Sequence, residues 1–171
     1  MSGSTTRGLS LIKSIQKYVQ AKPNQWDSAT VLSKELAYEF QVKLDYVGHG
    51  VIRGKFTVEA GMCNSFRYLH GGYTATLIDV ISVFSCLSDD RGKISWSTGL
   101  NMLLLNAVKE GEEVLFESTP LVIGKGSVVE VTLRTSKNNQ VAARGTVALV
   151  MGNEHIQKAC GEALYLNLDG N

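Results

Sequence analysis

The sequence predicts one α+β domain in which a long antiparallel sheet curls around a single buried helix. Residues 73–87 are apolar on nearly every side, so a helix formed there must be buried on every side. Two strand-like runs precede this segment and four follow it. Glycine-rich and asparagine-rich connections separate the later runs, which is typical of antiparallel neighbours. A curled sheet encloses the helix and leaves one sheet face to form the core.

Each strand is predicted from alternating apolar and polar residues, and each boundary from turn residues. The first hairpin pairs residues 40–45 with residues 51–58 across Gly48-His49-Gly50. After the helix, four more strands are predicted at residues 95–106, 112–123, 127–136 and 141–151. Their connections contain turn residues, namely Glu110-Gly111, Gly124-Lys125-Gly126 and Lys137-Asn138-Asn139.

Length and composition narrow the possible functions. The chain has 171 residues, enough for one well-cored domain and too few for two catalytic domains. Its net charge of +1 excludes the basic field that drives nucleic-acid binding. Three cysteines without paired spacing indicate neither a disulfide framework nor a zinc site, and they favour a reducing compartment. The apolar segment is too short to span a bilayer and carries Asp79 in its middle.

The N-terminal region differs in charge from the rest of the chain. Its first 26 residues carry a charge of +4 and the remainder carries −3. An amphipathic helix is predicted from an apolar stripe formed by Leu11, Ile12, Ile15, Tyr18 and Val19. Two interpretations stay open, a surface helix that packs its stripe on the domain or a mitochondrial transit peptide. We therefore expect a cytoplasmic or mitochondrial location.

Domain boundaries follow the changes of pattern along the chain. We expect an N-terminal helical extension at residues 1–37, the main domain at residues 38–152 and a C-terminal tail at residues 153–171. Within the extension, a second short helix is predicted at residues 28–37, with Asp27 or Ser28 as its N-cap.

Asp79 stands in the middle of the predicted buried helix. Its neighbours three and four residues away are small or apolar, with no lysine or arginine: Ala75, Thr76, Ser82 and Val83. An unpaired charge is costly to bury, so something must compensate for it. The carboxylate is either a structural group, bonded to serine or threonine hydroxyls or to a neighbouring chain, or a general base or nucleophile with a tuned pKa.

The helix is preceded by His70 and opens on Gly71-Gly72. Two glycines leave the first amide N–H groups without side-chain cover, and the positive helix end suits a developing negative oxygen. A thioester or ester carbonyl at this point would be polarised as in an oxyanion hole. The alternative is that the glycines only permit a tight strand-to-helix turn. His70 is a candidate general base or a satisfied structural residue.

The spacing of Gly71 and Asp79 constrains any shared chemistry. Eight residues along one helix separate them by about 12 Å at 1.5 Å per residue. Within one chain they cannot both serve the same carbonyl. If both are catalytic, two chains must be juxtaposed with antiparallel helices, which predicts a symmetric homodimer with two identical sites.

The run from Asn64 to Asp79 resembles the N-x(5)-H-G-G-x(6)-D signature of hotdog-fold acyl-CoA thioesterases. It is most similar to the phenylacetate-pathway type and to the animal thioesterase superfamily member 2 branch. The resemblance covers about residues 40–151 and implies hydrolysis of an acyl-CoA to a free acid and CoA, without a cofactor or a metal. It implies the hotdog fold and a homodimer or dimer of dimers.

The resemblance also implies roles for the motif residues. Asp79 would act as general base or nucleophile on the thioester, and the Gly71 amide would polarise its carbonyl. Asn64 would orient water or the thioester, and His70 would support the site by hydrogen bonding. Gly72 would join Gly71 in binding the substrate.

Two more residues match positions of the same family. Ser97 corresponds to a serine or threonine that assists the carboxylate or the water, although it could be an ordinary strand hydroxyl. Lys125 lies in a turn that approaches the CoA phosphates in relatives, although a solvated turn lysine fits equally well.

The chain departs from the family pattern next to the predicted site. Gly99 stands where relatives usually carry an acidic residue, and Ala107 stands where they usually carry proline. We expect these changes to alter the strand end and the acyl pocket rather than the reaction. Met102 and Leu103-Leu104-Leu105 either line an acyl channel or belong to the core.

Two other functions remain as alternatives. One is a hotdog-fold hydratase or dehydratase acting on acyl thioesters, which pairs a catalytic histidine with a carboxylate. The other is a non-catalytic acyl-CoA-binding protein that uses the same dimer. The Gly-Gly that follows His70 disfavours the first, and the intact Asn64 and Asp79 disfavour the second.

Overall fold

The structure is a computed structural model that describes residues 5–21 and 42–163. Three helices and six strands make up these residues, in the order α1 (Thr6–Ala21), β1 (Lys43–Gly48), β2 (Val51–Thr57), α2 (Gly71–Ser88), β3 (Ser95–Leu104), β4 (Glu113–Val122), β5 (Gly126–Thr135), β6 (Val141–Met151) and α3 (Glu154–Ala163). A short 3₁₀ turn, Ala60–Met62, follows β2. The short helix predicted at residues 28–37 lies outside the described residues.

The six strands form one antiparallel sheet in the order β1-β2-β4-β5-β6-β3. It curves around α2, so the predicted α+β fold class is confirmed. Strand β3 ends two residues earlier than predicted. The reason is that the N–H groups of Leu105 and Asn106 both donate to the carbonyl of Ala142, which ends the regular ladder.

Helix α2 forms the centre of the core. Its side chains Leu77 and Ile78 are fully buried against the sheet. Ile78 packs over Gly145 of β6, where a Cβ atom would lie only 3.0 Å from the Ile78 Cγ2 atom. The helix is long and apolar enough to be a candidate membrane span, but most of it is buried inside the fold, as in the core helix of many domains.

The N-terminal helix α1 packs on the domain beside β1 and the end of α2. Leu11 of the predicted stripe is buried. Arg7 donates to the carbonyl of Leu87 at 3.1 Å and to that of Gly92 at 2.7 Å, and so places a positive charge at the negative end of α2. The surface-helix interpretation is therefore confirmed for this part of the chain, and a transit-peptide role stays a prediction.

Helix α3 lies in the segment that the sequence assigned to a tail. Asn153 caps it, because its Oδ1 accepts the N–H of Ile156 at 3.0 Å. The Gln157 side chain accepts from the N–H of Ile94 and donates to the Ile94 carbonyl, at 2.8 and 2.7 Å. These bonds hold α3 against the start of β3. Asn153 is the sequence signal that could have predicted this helix.

Gly145 is the residue that lets α2 approach the sheet. We expect Gly145→Val to lower the free energy of unfolding by about 1–3 kcal/mol, because the added methyl groups press on Ile78 and on the Asn101 carbonyl. Urea denaturation followed by circular dichroism measures this loss.

Gly126→Val provides the matched control, since a Cβ atom there meets no neighbour within 4 Å. Its unfolding free energy should stay within about 0.5 kcal/mol of the wild-type value. Equal losses for the two variants would contradict the role given to Gly145.

Candidate active site

The segment before α2 is held in a tight turn by Asn64. Its side-chain oxygen Oδ1 accepts the N–H groups of Phe66 and Tyr68, at 2.9 and 3.2 Å. Its backbone N–H also donates to the Tyr68 carbonyl at 2.8 Å. Because Oδ1 is used inside the turn, the Nδ2 amide is the part of Asn64 that remains to donate to a substrate or a water.

His70 is the N-cap of α2. Its Nδ1 accepts the N–H of Gly72 at 2.9 Å, so Nδ1 carries no proton and the hydrogen of the neutral ring sits on Nε2. A Cβ atom on Gly72 would lie 2.9 Å from the same Nδ1, which explains why glycine is needed at this position. The supporting role predicted for His70 is thus a helix cap.

Gly71 and Gly72 differ in what their N–H groups do. The Gly72 N–H is bonded to His70, so the prediction that both groups lack side-chain cover is wrong for Gly72. Gly71 is the first helical residue, and its N–H has no hydrogen-bond acceptor within residues 5–21 and 42–163. It lines a cleft of about 420 Å³. Of these two glycines, only Gly71 retains an N–H group that is available as an oxyanion-type donor.

Asp79 carries a buried oxygen without a partner. Its Oδ1 is inaccessible to solvent and makes no hydrogen bond within the part of the chain that the structure describes. The nearby hydroxyls are used elsewhere: Thr76 donates to the Gly72 carbonyl at 3.0 Å and Ser82 to the Ile78 carbonyl at 2.7 Å. The hydroxyls of Thr76 and Ser82 therefore do not satisfy the Asp79 Oδ1 atom.

The side of α2 that carries Asp79 is only partly covered by the fold. Half-buried residues recur along it at helical spacing, namely Ala75, Thr76, Asp79 and Val83. Helix α2 is continuous from Gly71 to Ser88, so Gly71 and Asp79 are separated by two helical turns, about 12 Å. The predicted separation within one chain is confirmed.

Ser97 lies near the opposite end of β3 from Gly71. Leu104, at the far end of the strand, packs on Gly71, where a Cβ atom would meet its Cδ1 at 2.9 Å. Seven residues at about 3.3 Å each place Ser97 roughly 20 Å away along the strand. Ser97 precedes a β-bulge at Thr98, since Ser97 pairs with Leu149 and Gly99 already pairs with the next residue.

Lys125 shares the Ser97 end of the sheet. It is exposed in the β4–β5 turn, and its carbonyl accepts the N–H of Met151, the residue that pairs with Ser95 at the start of β3. The predicted residues therefore form two groups within one chain. The first contains Asn64, His70 and Gly71, the second contains Ser97 and Lys125, and Asp79 lies two turns from the first.

The cleft beside Gly71 is lined by residues that the sequence analysis did not single out as site residues. Phe66, Tyr68 and Val108 contribute to it, together with Ala107. Of the four residues that the sequence left open between channel and core, Leu104 and Leu105 line the cleft and are exposed. Met102 packs against the core, and Leu103 is exposed. The sequence signal that could have indicated this cleft is Phe66, an aromatic residue inside the motif.

Cys63 adjoins Asn64 and is the thiol nearest to the motif in sequence. Burial raises its pKa, with a further rise from the Glu110 carboxylate that the Arg67 charge only partly opposes. A thiol with a raised pKa is mostly protonated at neutral pH and is a poor nucleophile. The Cys63 thiol therefore does not compete with Asp79 for that role.

Known proteins are similar to this chain in both sequence and fold. Acyl-coenzyme A thioesterase 13 of Homo sapiens is 27% identical over 145 residues, which cover 84% of this chain and 99% of that protein. The Mus musculus protein of the same name is 32% identical over 97 residues, 56% of this chain and 69% of that protein. The crystal structure of zebrafish thioesterase superfamily member 2 has a TM-score of 0.69 at 25% identity and covers 82% of this chain and 98% of that chain. No protein-family profile matches the chain.

A sheet wrapped around a helix that is capped by His70, opens on Gly71-Gly72 and carries Asp79 two turns later matches the class of hotdog-fold thioesterases. The similarity to the human relative extends over almost its whole length. This chain belongs to the acyl-CoA thioesterase family that includes acyl-coenzyme A thioesterase 13. The resemblance seen at residues 64–79 is confirmed.

Two substitutions separate the two functions of the Asn64 side chain. Asn64→Asp keeps the oxygen that holds the turn, so its unfolding free energy should change by less than about 0.5 kcal/mol, whereas Asn64→Ala should lose about 1–2 kcal/mol. Both variants lack the Nδ2 donor and should hydrolyse acyl-CoA about tenfold or more slowly. Thiol release and urea denaturation measure the two effects. Full activity of Asn64→Asp would show that the amide does not donate to the reacting groups.

Proposed function

We propose that the protein hydrolyses acyl-CoA thioesters to free acids and CoA, at two identical sites that are each shared between two copies of the chain. One observation carries this proposal. The buried Asp79 oxygen has no hydrogen-bond partner within the described residues, and the free Gly71 N–H lies two helical turns away. The described residues leave this oxygen uncompensated, and in this proposal the compensating group comes from a second copy of the chain or from the reacting substrate.

The open edge of the sheet supports a dimer. Within residues 5–21 and 42–163, strand β3 has β6 on one side and no strand on the other, and its ten residues contain neither proline nor a charged side chain. The opposite edge strand, β1, is short and is bordered by α1, where the Thr5 N–H donates to the Val47 carbonyl at 3.1 Å. A long edge strand without charges or proline is a template for pairing with another chain. We infer that β3 pairs with β3 of a second copy around a twofold axis.

Antiparallel pairing of two β3 strands would unite the two groups of site residues. Each strand has Ser97 near one end and Leu104, packed on Gly71, at the other. A twofold axis near the strand centre places the Ser97 end of one copy beside the Gly71 end of the other. Lys125 lies at the Ser97 end of the sheet and so also comes beside the Gly71 end of the other copy. Its exposed ammonium group suits a CoA phosphate there.

The reaction follows from these positions. The thioester oxygen accepts from the Gly71 N–H at the positive end of α2, which polarises the carbonyl and holds the tetrahedral oxyanion. Asp79 of the other copy removes a proton from the attacking water, or attacks the carbonyl itself to form an anhydride that water then opens. Either route breaks the C–S bond, consumes one water, and transfers a proton to the leaving CoA thiolate. The Asn64 amide and the Ser97 hydroxyl are placed to orient that water.

A dimer of dimers is a further part of this proposal. The outer face of the sheet carries a row of small and apolar residues that pair across neighbouring strands, namely Gly99, Ala148, Val128 and Val122. No atom lies within 4 Å of a Cβ built on Gly99, so glycine is not required there by the chain's own packing. A flat apolar row suits a second sheet packed face to face.

The structure does not favour the two alternative functions. A hydratase of this fold needs a catalytic histidine, and the His70 Nδ1 is occupied as a helix cap. A non-catalytic binding protein gains nothing from burying one oxygen of Asp79 without a hydrogen-bond partner. Thiol release by the wild-type protein distinguishes hydrolysis from binding alone.

Asp79→Asn tests the carboxylate with little change of volume. We expect a loss of about 10² or more in kcat, because the base or nucleophile is removed while the helix packing stays intact. Thiol release from acyl-CoA substrates measures the rate, and thermal unfolding shows that the variant is folded. Turnover at the wild-type rate would overturn the assignment of Asp79.

Gly71→Pro removes the proposed oxyanion donor and little else. Proline is well tolerated at the first residue of a helix, and the extended backbone of His70 (φ −72°, ψ 133°) is compatible with a following proline. We expect kcat to fall by about 10² to 10³, as for the loss of one oxyanion donor. Gly71→Ala is the matched control, since it adds the same Cβ beside Leu104 and keeps the N–H, and it should stay within about tenfold of the wild type.

Mixing the two inactive variants tests whether the site is shared. In a dimer of one Asp79→Asn chain and one Gly71→Pro chain, one site has both changes and the other has neither. Unfolding and refolding an equal mixture should therefore restore about one quarter of wild-type activity, because half of randomly paired dimers are mixed. A site contained in one chain would give no recovery.

A further inference from the structure

Phe66 is the most exposed large apolar residue among those described, with 79% of its surface accessible. It lies at the edge of the cleft of about 420 Å³ that also contains Gly71. An isolated exposed aromatic residue on a surface needs no explanation, but this one belongs to the predicted motif and stands on a rigid loop. The construction of that loop and the chemistry of the cleft indicate what Phe66 contacts.

The loop is held by several bonds that fix the position of Phe66. Its N–H donates to the Asn64 Oδ1 at 2.9 Å, and the Arg67 N–H donates to the Asn64 carbonyl at 2.9 Å. Arg67 itself has a φ of +63°, which a residue with a side chain adopts only when its surroundings enforce it. These bonds fix the backbone at Phe66, and the ring extends from it into solvent.

A double ion pair enforces the strained backbone of Arg67. Its guanidinium donates to both carboxylate oxygens of Glu110, at 2.8 and 3.0 Å, and the Glu110 N–H donates to the Arg67 carbonyl at 3.0 Å. The hydrogen bond from Arg67 lowers the pKa of Glu110, so the pair is fully ionised at neutral pH. This Arg67–Glu110 pair ties the Phe66 loop to the connection between β3 and β4.

The cleft itself suits an apolar group. Its walls are mainly aliphatic, and the lysine and arginine residues that would meet phosphates are absent from its described lining: Leu69, Leu104, Leu105, Val108, Leu133, Ala142 and Ala143 supply most of the surface. The anionic part of a CoA ester therefore lies elsewhere. Since the proposed function puts the thioester at Gly71, which lines the cleft, the acyl chain is the part of the substrate that enters it.

We propose that Phe66, held in place by the Arg67–Glu110 pair, is a specificity-determining contact for the acyl chain. Acyl groups long enough to extend from Gly71 along the cleft to the Phe66 ring are then preferred over short ones. This inference rests on the proposed thioesterase function and deepens it. Phe66 touches the substrate, whereas Arg67 and Glu110 are positioning residues.

Phe66→Ser tests the contact, with butanoyl-CoA and dodecanoyl-CoA as substrates. We expect the ratio of kcat/KM for dodecanoyl-CoA to that for butanoyl-CoA to fall about tenfold, the size expected for the loss of one aromatic contact. The fall should lie mainly in the KM of the longer substrate. Leu115→Ser is the control, since Leu115 is an exposed apolar residue outside this cleft, on β4, and should leave the ratio unchanged.

Glu110→Gln tests the positioning role. Without the carboxylate charge the Arg67 guanidinium loses its ion pair and only the backbone bonds still hold the loop, so the same ratio should fall in the same direction, by about twofold to tenfold. A merely structural role for Glu110 would lower kcat for both substrates equally and leave the ratio as it was.

Two outcomes would overturn the inference. One is an unchanged ratio in Phe66→Ser, whether the two rates stay the same or fall equally. The other is a fall in solution mass, which would assign Phe66 to the interface between copies. If the wild type releases no thiol, the proposed function fails instead. Binding of the non-hydrolysable thioether S-dodecyl-CoA, measured by calorimetry, then still tests Phe66: a Kd unchanged in Phe66→Ser contradicts the contact, and about tenfold weaker binding supports it.

Discussion

The hydrogen bond from the Gly72 N–H to the His70 Nδ1 sets the point at which α2 begins, and the rest of the site depends on that point. With His70 as the cap, Gly71 becomes the first helical residue and retains a free N–H. The same start fixes the rotation of the helix, which places Ile78 over Gly145 and turns Asp79 toward the open side. A start shifted by one residue would rotate Asp79 by about 100° and bury it in the core.

The sequence predicted the strands and the central helix well because their patterns are strong and local. It also predicts Asp79 and Gly71 as candidate site residues, from the cost of a buried charge and from helix-end chemistry. Some contacts could not be predicted, because they join residues that are far apart in the chain. The cleft brings Phe66 together with Leu104 and Ala142, and no periodicity indicates which side chains meet across a curved sheet.

Neighbouring groups that look equivalent in the sequence have different hydrogen-bond partners in the structure. Residue type alone therefore does not predict which of them remain free. Gly71 and Gly72 look equivalent in the sequence, yet one N–H is free and the other holds a histidine ring. Thr76 and Ser82 stand beside Asp79 at helical spacing, yet both hydroxyls bond to carbonyls of their own helix. In each case the helix satisfies its own backbone first, and only the groups that remain are available for chemistry.

Because β3 has an unpaired edge, both the stability and the activity of the proposed dimer depend on the protein concentration. In the proposed dimer each chain covers the β3 edge of its partner and completes the partner's site. A dissociated chain is therefore inactive, and its uncovered β3 edge can pair with other strands. Apparent stability then rises by about 1.4 kcal/mol for each tenfold increase in protein concentration. A cell that lowers the amount of this chain would therefore lose activity more steeply than in proportion, without any regulator acting on the site.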